Sequence, residues 1–508
     1  MYSLSRKRRA GPVHLASIAL DPSGEAPLHR QLYFAIREAI LANRLQPGTR
    51  LPSSRALAQD LSVSRNTVMA AFEQLHAEGY VEGKVGAGSF VSQQLPEEVL
   101  HARAEALTAR HRGAPAPGPS RRGRLLGELA ATAPRSRPRA FAPGLPELAA
   151  FPFEEWARLL AKHWREPPGS FLIGSDALGW RPLREAIATY LGAARAVRCT
   201  AEQVIVVSGA QQALDLTARV LIDQGDRVWI EDPGYPGLSG ALIASGAELV
   251  PVPVDEEGLS IEAGLKLAPR ARMACVSPSH QYPLGITMSL ARRLALLEWA
   301  READAFVLED DYDSEYRYAG RPLAALQGLD ADGRVIYVGT MSKVMFPGLR
   351  LGYMVVPDHL VDIFAAVRRM TDTHPPMIAQ PALAEFIAGG HLAAHIRRMR
   401  ALYAERQQLF LEVCSNGLAE HLELQPAEAG MHLVGSLRHG LDDRAVSRAA
   451  RRRGIEAPAL SAFYRSVAPR SGLLLGYTGV GAAEIRSGVR ELQAAIEEVG
   501  GAVLLAGA

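Results

Sequence analysis

One lysine, Lys343, stands in the run Gly339-Thr340-Met341-Ser342-Lys343, and Arg350 follows it seven positions later. A lysine amine that loses its proton attacks aldehydes and forms a Schiff base. Thr340 and Ser342 add hydroxyl groups, and Arg350 adds a planar fork of donors that matches a phosphate. An aldehyde and a phosphate on one small molecule describe pyridoxal phosphate, so this run is expected to hold that cofactor.

Three segments upstream supply what else such a pocket needs. After the apolar run 204–207 comes Ser208-Gly209-Ala210-Gln211, which opens a helix whose first amides, with the Gln211 side chain, can receive a phosphate. After 227–230 comes Glu231-Asp232-Pro233-Gly234-Tyr235, where Tyr235 can stack on a flat ring. Taken alone, Tyr235 reads as a loop tyrosine packing on its own domain. After 305–308 comes Glu309-Asp310-Asp311-Tyr312-Asp313. A carboxylate of this cluster can pair with a protonated pyridine nitrogen, and a tyrosine two residues on can bond the ring's phenolic oxygen. An acidic cluster also suits metals, but no histidine lies at ligand spacing, so no metal is expected.

These segments follow short apolar runs at 204–207, 227–230, 273–276, 305–308 and 335–338, which alternate with helical patterns from Phe141 onward. That alternation predicts an α/β domain over 141–508 with a largely parallel sheet, its chemistry in loops beyond the strand ends. Residues 93–140 are rich in Ala, Pro, Gly and Arg, the composition of a flexible, extended linker. Its arginines either contact DNA without regard to sequence or keep the tether solvated.

The first 92 residues read differently. Helical spacing covers about 27–42, a second helix 52–61 is capped by Ser53 or Ser54, and a third, about 65–78, starts at the N-cap Ser64. The short turn at Ser62-Val63 makes this a helix-turn-helix, with Arg65, Asn66 and Thr67 in the first turn of the recognition helix. Two short strands around a glycine turn in 80–91 form a wing, where Gly86 and Gly88 let the backbone approach a minor groove. Residues 1–140 hold 20 Lys/Arg against 11 Asp/Glu, leaving 36 against 43 for the rest, so the basic end is the nucleic-acid end.

Composition sets the outer limits. The 508 residues exceed one domain, and 48% hydrophobic with 22% charged residues is an ordinary globular balance. Cys199, Cys275 and Cys414 are too few and too scattered for a disulfide framework or a zinc site. No apolar run approaches the roughly 20 residues that span a bilayer, and a cytoplasmic protein is expected.

The stretches LPSSRALA, VSRNTVMAAFEQLHAEGYVE and GAGSFV resemble the winged-helix domain of the GntR family of bacterial regulators. That resemblance implies that Arg55, Ser64, Arg65, Thr67 and Gly86 touch DNA. The four pocket motifs, with GWRPLREAIATYL, SPSHQYPLG, RPLAALQG and HIRRMRALYAER, resemble fold-type I pyridoxal phosphate enzymes of the class I aminotransferase kind. The fusion resembles the MocR/GabR subfamily of transcription regulators over nearly the whole chain. It implies that Lys343 is the Schiff-base lysine, Asp310 the pyridine partner, Tyr312 the phenolate partner and Tyr235 the stacking ring. Ala210, Gln211, Thr340, Ser342 and Arg350 would form the phosphate cup.

The resemblance further implies a head-to-tail homodimer on double-stranded operator DNA. Its effector would be pyridoxal phosphate itself, or an amine or amino acid. Two positions depart from the aminotransferase pattern: Tyr282 replaces the usual asparagine, and Leu474 stands where an arginine would clamp a substrate carboxylate, with Arg465 or Arg470 as nearby stand-ins. A sensing domain is therefore expected, against the alternatives of an active aminotransferase with an accessory head or a fold kept only for dimerisation.

Overall fold

The computed structural model describes residues 15, 18–24, 26–84, 87–95, 118–131, 139–174, 176–319 and 323–506. It divides into two compact units, Met1–Gly118 and Pro119–Ala508.

In the first unit, helix α1 (Leu28–Leu41) turns Leu32, Tyr33, Ile36, Ala39 and Ile40 inward, a stripe at three-to-four-residue spacing. Helix α2 (Ser54–Asp60) is capped by Ser53, whose hydroxyl accepts the Ala56 N–H at 3.2 Å. Helix α3 (Arg65–Ala77) is capped by Ser64, which accepts the Thr67 N–H at 3.1 Å. Between them Ser62 takes a left-handed φ of 54°, which makes the tight turn. Leu32, Ile36, Leu57, Val68, Ala71 and Leu75 are fully buried together, so each helix contributes to one small core. Strands β1 (Val81–Lys84) and β2 (Gly88–Val91) pair antiparallel as the wing.

The second unit is built on an eight-stranded sheet in the order β3-β10-β9-β8-β7-β4-β5-β6. Its strands are β3 (Val204–Val207), β4 (Arg227–Asp232), β5 (Glu248–Asp255), β6 (Gly258–Leu259), β7 (Met273–Val276), β8 (Phe306–Asp311), β9 (Val335–Thr340) and β10 (Gly352–Val355). All five strands read from the sequence are present, and β4, β5, β7, β8 and β9 pair in parallel. Two strands run against them: β10, which pairs antiparallel with both β3 and β9, and the short β6. Side chains alternate in direction along each strand, so Ile205 and Val207 enter one hydrophobic cluster while Val204 and Val206 enter another. A sheet apolar on both faces must be covered on both. On one face Trp229 stacks on Trp299 of the helix Leu290–Glu302 at 3.9 Å between ring centroids.

A second, antiparallel sheet follows: β11 (Leu422–Leu424), β12 (His432–Leu437) and β13 (Gly472–Gly476). The long helices His391–Gly417 and Ala482–Ala506 accompany it. One expectation needs correction. Within the stretch read as an extended linker, Arg121–Ala131 form a helix, and Arg122 donates to the carbonyl of Ala244 at 2.8 Å. Leu125, Leu126 and Leu129, at three-to-four-residue spacing, give that arginine-rich segment an apolar stripe.

Candidate functional site

The loops beyond the carboxyl ends of β3, β4, β7, β8 and β9 meet at one edge of the large sheet, where ligands bind in open α/β folds. Lys343 follows β9. Its Nζ donates to the carbonyl of Gly144 at 2.9 Å, and a Cβ on Gly144 would lie 2.7 Å from that nitrogen. Gly144 also has φ of 68°, a left-handed backbone that favours glycine, and the absent Cβ leaves the lysine tip its room. Burial lowers the pKa of Lys343, while the carboxylates of Asp313 and Asp310 oppose the shift. A lysine driven toward its neutral form is a better nucleophile.

Asp310, the penultimate residue of β8, lies beside it. The period of the strand sends Asp311 the other way, to a buried ion pair with Arg195 at 2.8 Å, so the two neighbouring acids have separate tasks. Asp310 Oδ1 is enclosed without a hydrogen-bond partner. Burial, then Asp311 and Asp313, raise its pKa to about 7, with Lys343 pulling the other way. Tyr235 and Asp310 line the same small cavity behind the sheet edge. Across the edge, Gly209 (φ 110°) precedes the helix Ala210–Leu221, and the guanidinium of Arg350 lies 3.5 Å from where a Cβ on Gly209 would sit. Arg350 makes no hydrogen bond to protein among the described residues.

An enclosed, unpartnered carboxylate, a desolvated lysine and a free guanidinium over a helix N-terminus are the complements of a pyridine nitrogen, an aldehyde and a phosphate. The residues present therefore fit pyridoxal phosphate. Ala210 opens that helix as expected. Gln211 spends one carboxamide donor on the Gly237 carbonyl at 2.8 Å, tying it to the loop of Tyr235. The Thr340 hydroxyl accepts the Ser342 N–H at 3.2 Å, which shapes the turn into Lys343.

Asp310 carries a stability cost that the cofactor would relieve. Its unfolded carboxyl titrates near pH ~4. Its folded pKa is raised, so stability is full below that point and is lost as pH climbs toward about 7, where the folded carboxyl ionises too. Asp310→Asn should therefore raise the melting temperature of cofactor-free protein by roughly a few degrees at pH 8 and by less at pH 5.5, while weakening cofactor binding. Calorimetry at the two pH values, with and without pyridoxal phosphate, checks both halves.

Several residues of the pocket escaped sequence reasoning. Gln281, almost fully buried, donates to the carbonyls of Pro233 (2.8 Å) and Tyr282 (2.7 Å) and accepts from the Leu284 N–H (3.0 Å), so it joins the loops after β4 and β7. Glu231 receives Ser277 N–H and Gln281, each at 3.2 Å, and burial pushes its pKa to about 8. His280 and Asp313 are 3.1 Å apart and both buried, and the Tyr312 hydroxyl lies 2.9 Å from the same histidine. His432 joins these two in a cluster of metal-ligand types, although no metal was expected.

Tyr282, in the asparagine position, sits edge-on to Tyr235, Tyr312, His432 and Phe463, with centroids 5.8, 6.0, 5.6 and 5.5 Å away. It is an aromatic wall where an amide was usual. Leu474 is fully buried in β13 opposite Val434 of β12, in register with His432 opposite Gly476. Directly opposed residues project to the same side, so His432, Val434 and Leu474 share the face that meets Tyr282. Burial lowers the His432 pKa to about 4, so that imidazole supplies no cation there at neutral pH. The proposed stand-ins Arg465 and Arg470 are exposed.

In the first unit, Arg55, Ser64 and Arg65 are exposed at the starts of α2 and α3, with Thr67 half-buried beside them. Ser54 Oγ accepts from Arg65 Nε at 3.4 Å, joining the two helix starts. Gly86 lies outside the described residues. Arg50 was missed: its guanidinium lies 3.5 to 3.9 Å from the Cβ position of Gly88, a cation at the wing's base. With Arg65, Met69 and His76 it lines a groove between recognition helix and wing.

Comparison with known proteins agrees with this division. Residues 28–91 match the family model of bacterial regulatory proteins of the gntR family, and residues 147–472 match that of aminotransferase class I and II. The chain is 44% identical to a Rhizobium meliloti protein named "Probable rhizopine catabolism regulatory protein MocR", over 94% of this chain and 95% of that one. It is 33% identical to the pyridoxine biosynthesis transcriptional regulator PdxR of Corynebacterium glutamicum, over 91% of this chain and 94% of that one. Among solved structures, a kynurenine aminotransferase of Pyrococcus horikoshii superposes with a TM-score of 0.66 at 30% identity, covering 77% of this chain and 99% of that one. The winged helix, the aminotransferase-like sheet and likeness to a regulator along almost its full length place this protein in the MocR-type transcription regulators of the GntR family.

Proposed function

We propose that the aminotransferase-like domain (141–508) is an effector sensor that holds pyridoxal phosphate at Lys343 and biases how the head (1–92) engages operator DNA. The effector is the cofactor itself or a primary amine or amino acid. When bound, pyridoxal phosphate supplies an aldehyde carbon at which one primary amine can replace another. The chain's own groups do the rest. Asp310 holds a proton against the pyridine nitrogen, Tyr235 covers the ring, and Ala210, Gln211, Thr340, Ser342 and Arg350 bind the phosphate. A ligand shifts the equilibrium between two head arrangements only by its difference in affinity for them. A cytoplasmic homodimer suits this reading, since two heads match a two-part operator.

The observation that carries sensing over catalysis is Leu474 with its neighbours. At that position Leu474, buried opposite Val434 on the strand face that also carries His432 beside Tyr282, offers no guanidinium to orient an α-carboxylate. Without that clamp, efficient turnover of ordinary amino acids is not supported. The relatives' names point the same way, since one regulates rhizopine catabolism and another pyridoxine biosynthesis. Full-length protein loaded with pyridoxal phosphate, incubated with a panel of amino acids and a keto acid, should make at most about one equivalent of product per site. Many turnovers on any pair would sink the sensor reading.

A further inference from the structure

Beside Lys343 the interior holds a hydrogen-bonded group with no role so far. His280 comes from the loop after β7 and Asp313 from the loop after β8, and the parallel pairing of these strands, Val276 opposite Glu309, brings the loops together. Nδ1 of His280 lies 3.1 Å from both carboxylate oxygens of Asp313 and 2.9 Å from the Tyr312 hydroxyl. A nitrogen so close to a carboxylate carries hydrogen; bare, it would set its lone pair against those of two oxygens. With Nδ1–H in place, Tyr312 can only accept from His280, and its own hydroxyl proton is turned elsewhere.

The ring has little freedom to do otherwise. A Cβ on Gly430 would fall 2.0 Å from His280 Cε1, so the imidazole lies flat against that backbone, and Gly430 has φ of 92°. His280 Nε2 is enclosed without a partner, which removes the alternative tautomer's usual reason to exist. The other titratable neighbour, His432, lies 5.2 Å away between centroids with Nε2 against the Pro283 carbonyl at 2.9 Å. Asp310 and Lys343 complete the charged surroundings, Asp313 acting on Lys343 as well.

We propose that His280, held by Asp313 and Gly430, is a positioning residue that fixes Tyr312 as a hydrogen-bond donor to the cofactor's phenolic oxygen. This rests on the cofactor assignment above. A donor at that oxygen disfavours its protonation and so lowers the pH at which the lysine-bound cofactor changes its absorption band.

The test is spectrophotometric pH titration of full-length, cofactor-loaded protein. His280→Phe keeps the ring volume and removes the N–H; its midpoint should rise by about one pH unit, a tenfold change in proton affinity. His280→Asn, whose amide nitrogen falls near Nδ1, should return to within about a third of a unit of wild type. Tyr312→Phe should shift as far as His280→Phe, and the double variant no further, since both remove one interaction. Should His280→Phe fail to fold, Asp313→Asn, which weakens the hold on Nδ1–H, should shift the midpoint in the same direction by a smaller amount. An unmoved midpoint in the histidine and aspartate variants beside a shifted Tyr312→Phe overturns the proposal. So does stoichiometric zinc taken up by wild type and lost in His280→Phe, which would make the cluster a metal site. A wild type with no lysine-bound band overturns the cofactor assignment and this proposal together.

Discussion

Lys343→Ala abolishes the covalent hold on pyridoxal phosphate and leaves the winged helix able to bind DNA. Wild-type protein reduced with borohydride should gain the mass of one reduced cofactor per chain, and the variant none. Affinity for the cofactor should fall by at least about a hundredfold, roughly 3 kcal/mol, because the phosphate cup and ring contacts remain while the covalent bond is lost. The fold should survive. Among the described residues the Lys343 side chain makes one hydrogen bond, to Gly144; of the two carboxylates that act on it, Asp313 keeps His280 and Asp310 is raised toward neutrality. Intact mass after reduction and a thermal melt separate these claims.

Arg65→Ala is the complementary variant. Arg65 begins α3, is exposed, and among the described residues bonds only the Ser54 hydroxyl, at 3.4 Å, so its loss should hardly alter stability. An arginine at the first turn of a recognition helix reads base edges or phosphates. Its removal should cost about 1–3 kcal/mol of operator binding, roughly 5- to 150-fold, with the absorption spectrum of bound cofactor unchanged. The salt dependence tells the two contacts apart: loss of a phosphate contact should lower the slope of log K against log salt by about one, whereas a base contact leaves it nearly intact. Loss of both DNA binding and cofactor in either variant would contradict separable tasks for the two units.

Local chemistry explains what was legible in the sequence. Ser64 and Arg65 could be read because an N-cap acts within three residues, and the five recognised strands because each is an uninterrupted apolar run. Strand β5 was missed because Pro251 and Pro253 interrupt it; it tolerates them beside an edge where β6 pairs with only its last two residues. The Lys343 motif announced a cofactor because its chemistry lies in consecutive residues. The network of His280, Asp313 and Gln281 did not, since it depends on strand neighbours 33 to 50 residues apart and a lone histidine in a loop carries no such signal. The helix Arg121–Ala131 was hidden by arginines and glycines that read as tether, although Leu126 and Leu129, half-buried three residues apart, mark its inner side.

On the proposed function, the pocket at Lys343 governs the head's hold on DNA. Titrating pyridoxal phosphate, then a panel of primary amines, into cofactor-free protein bound to the DNA upstream of its own gene tests that claim most directly. At least one of these ligands should change the DNA Kd by about fivefold or more, a coupling of roughly 1 kcal/mol, and Lys343→Ala should remove the change. An identical Kd in the cofactor-free, cofactor-loaded and amine-treated states would contradict it.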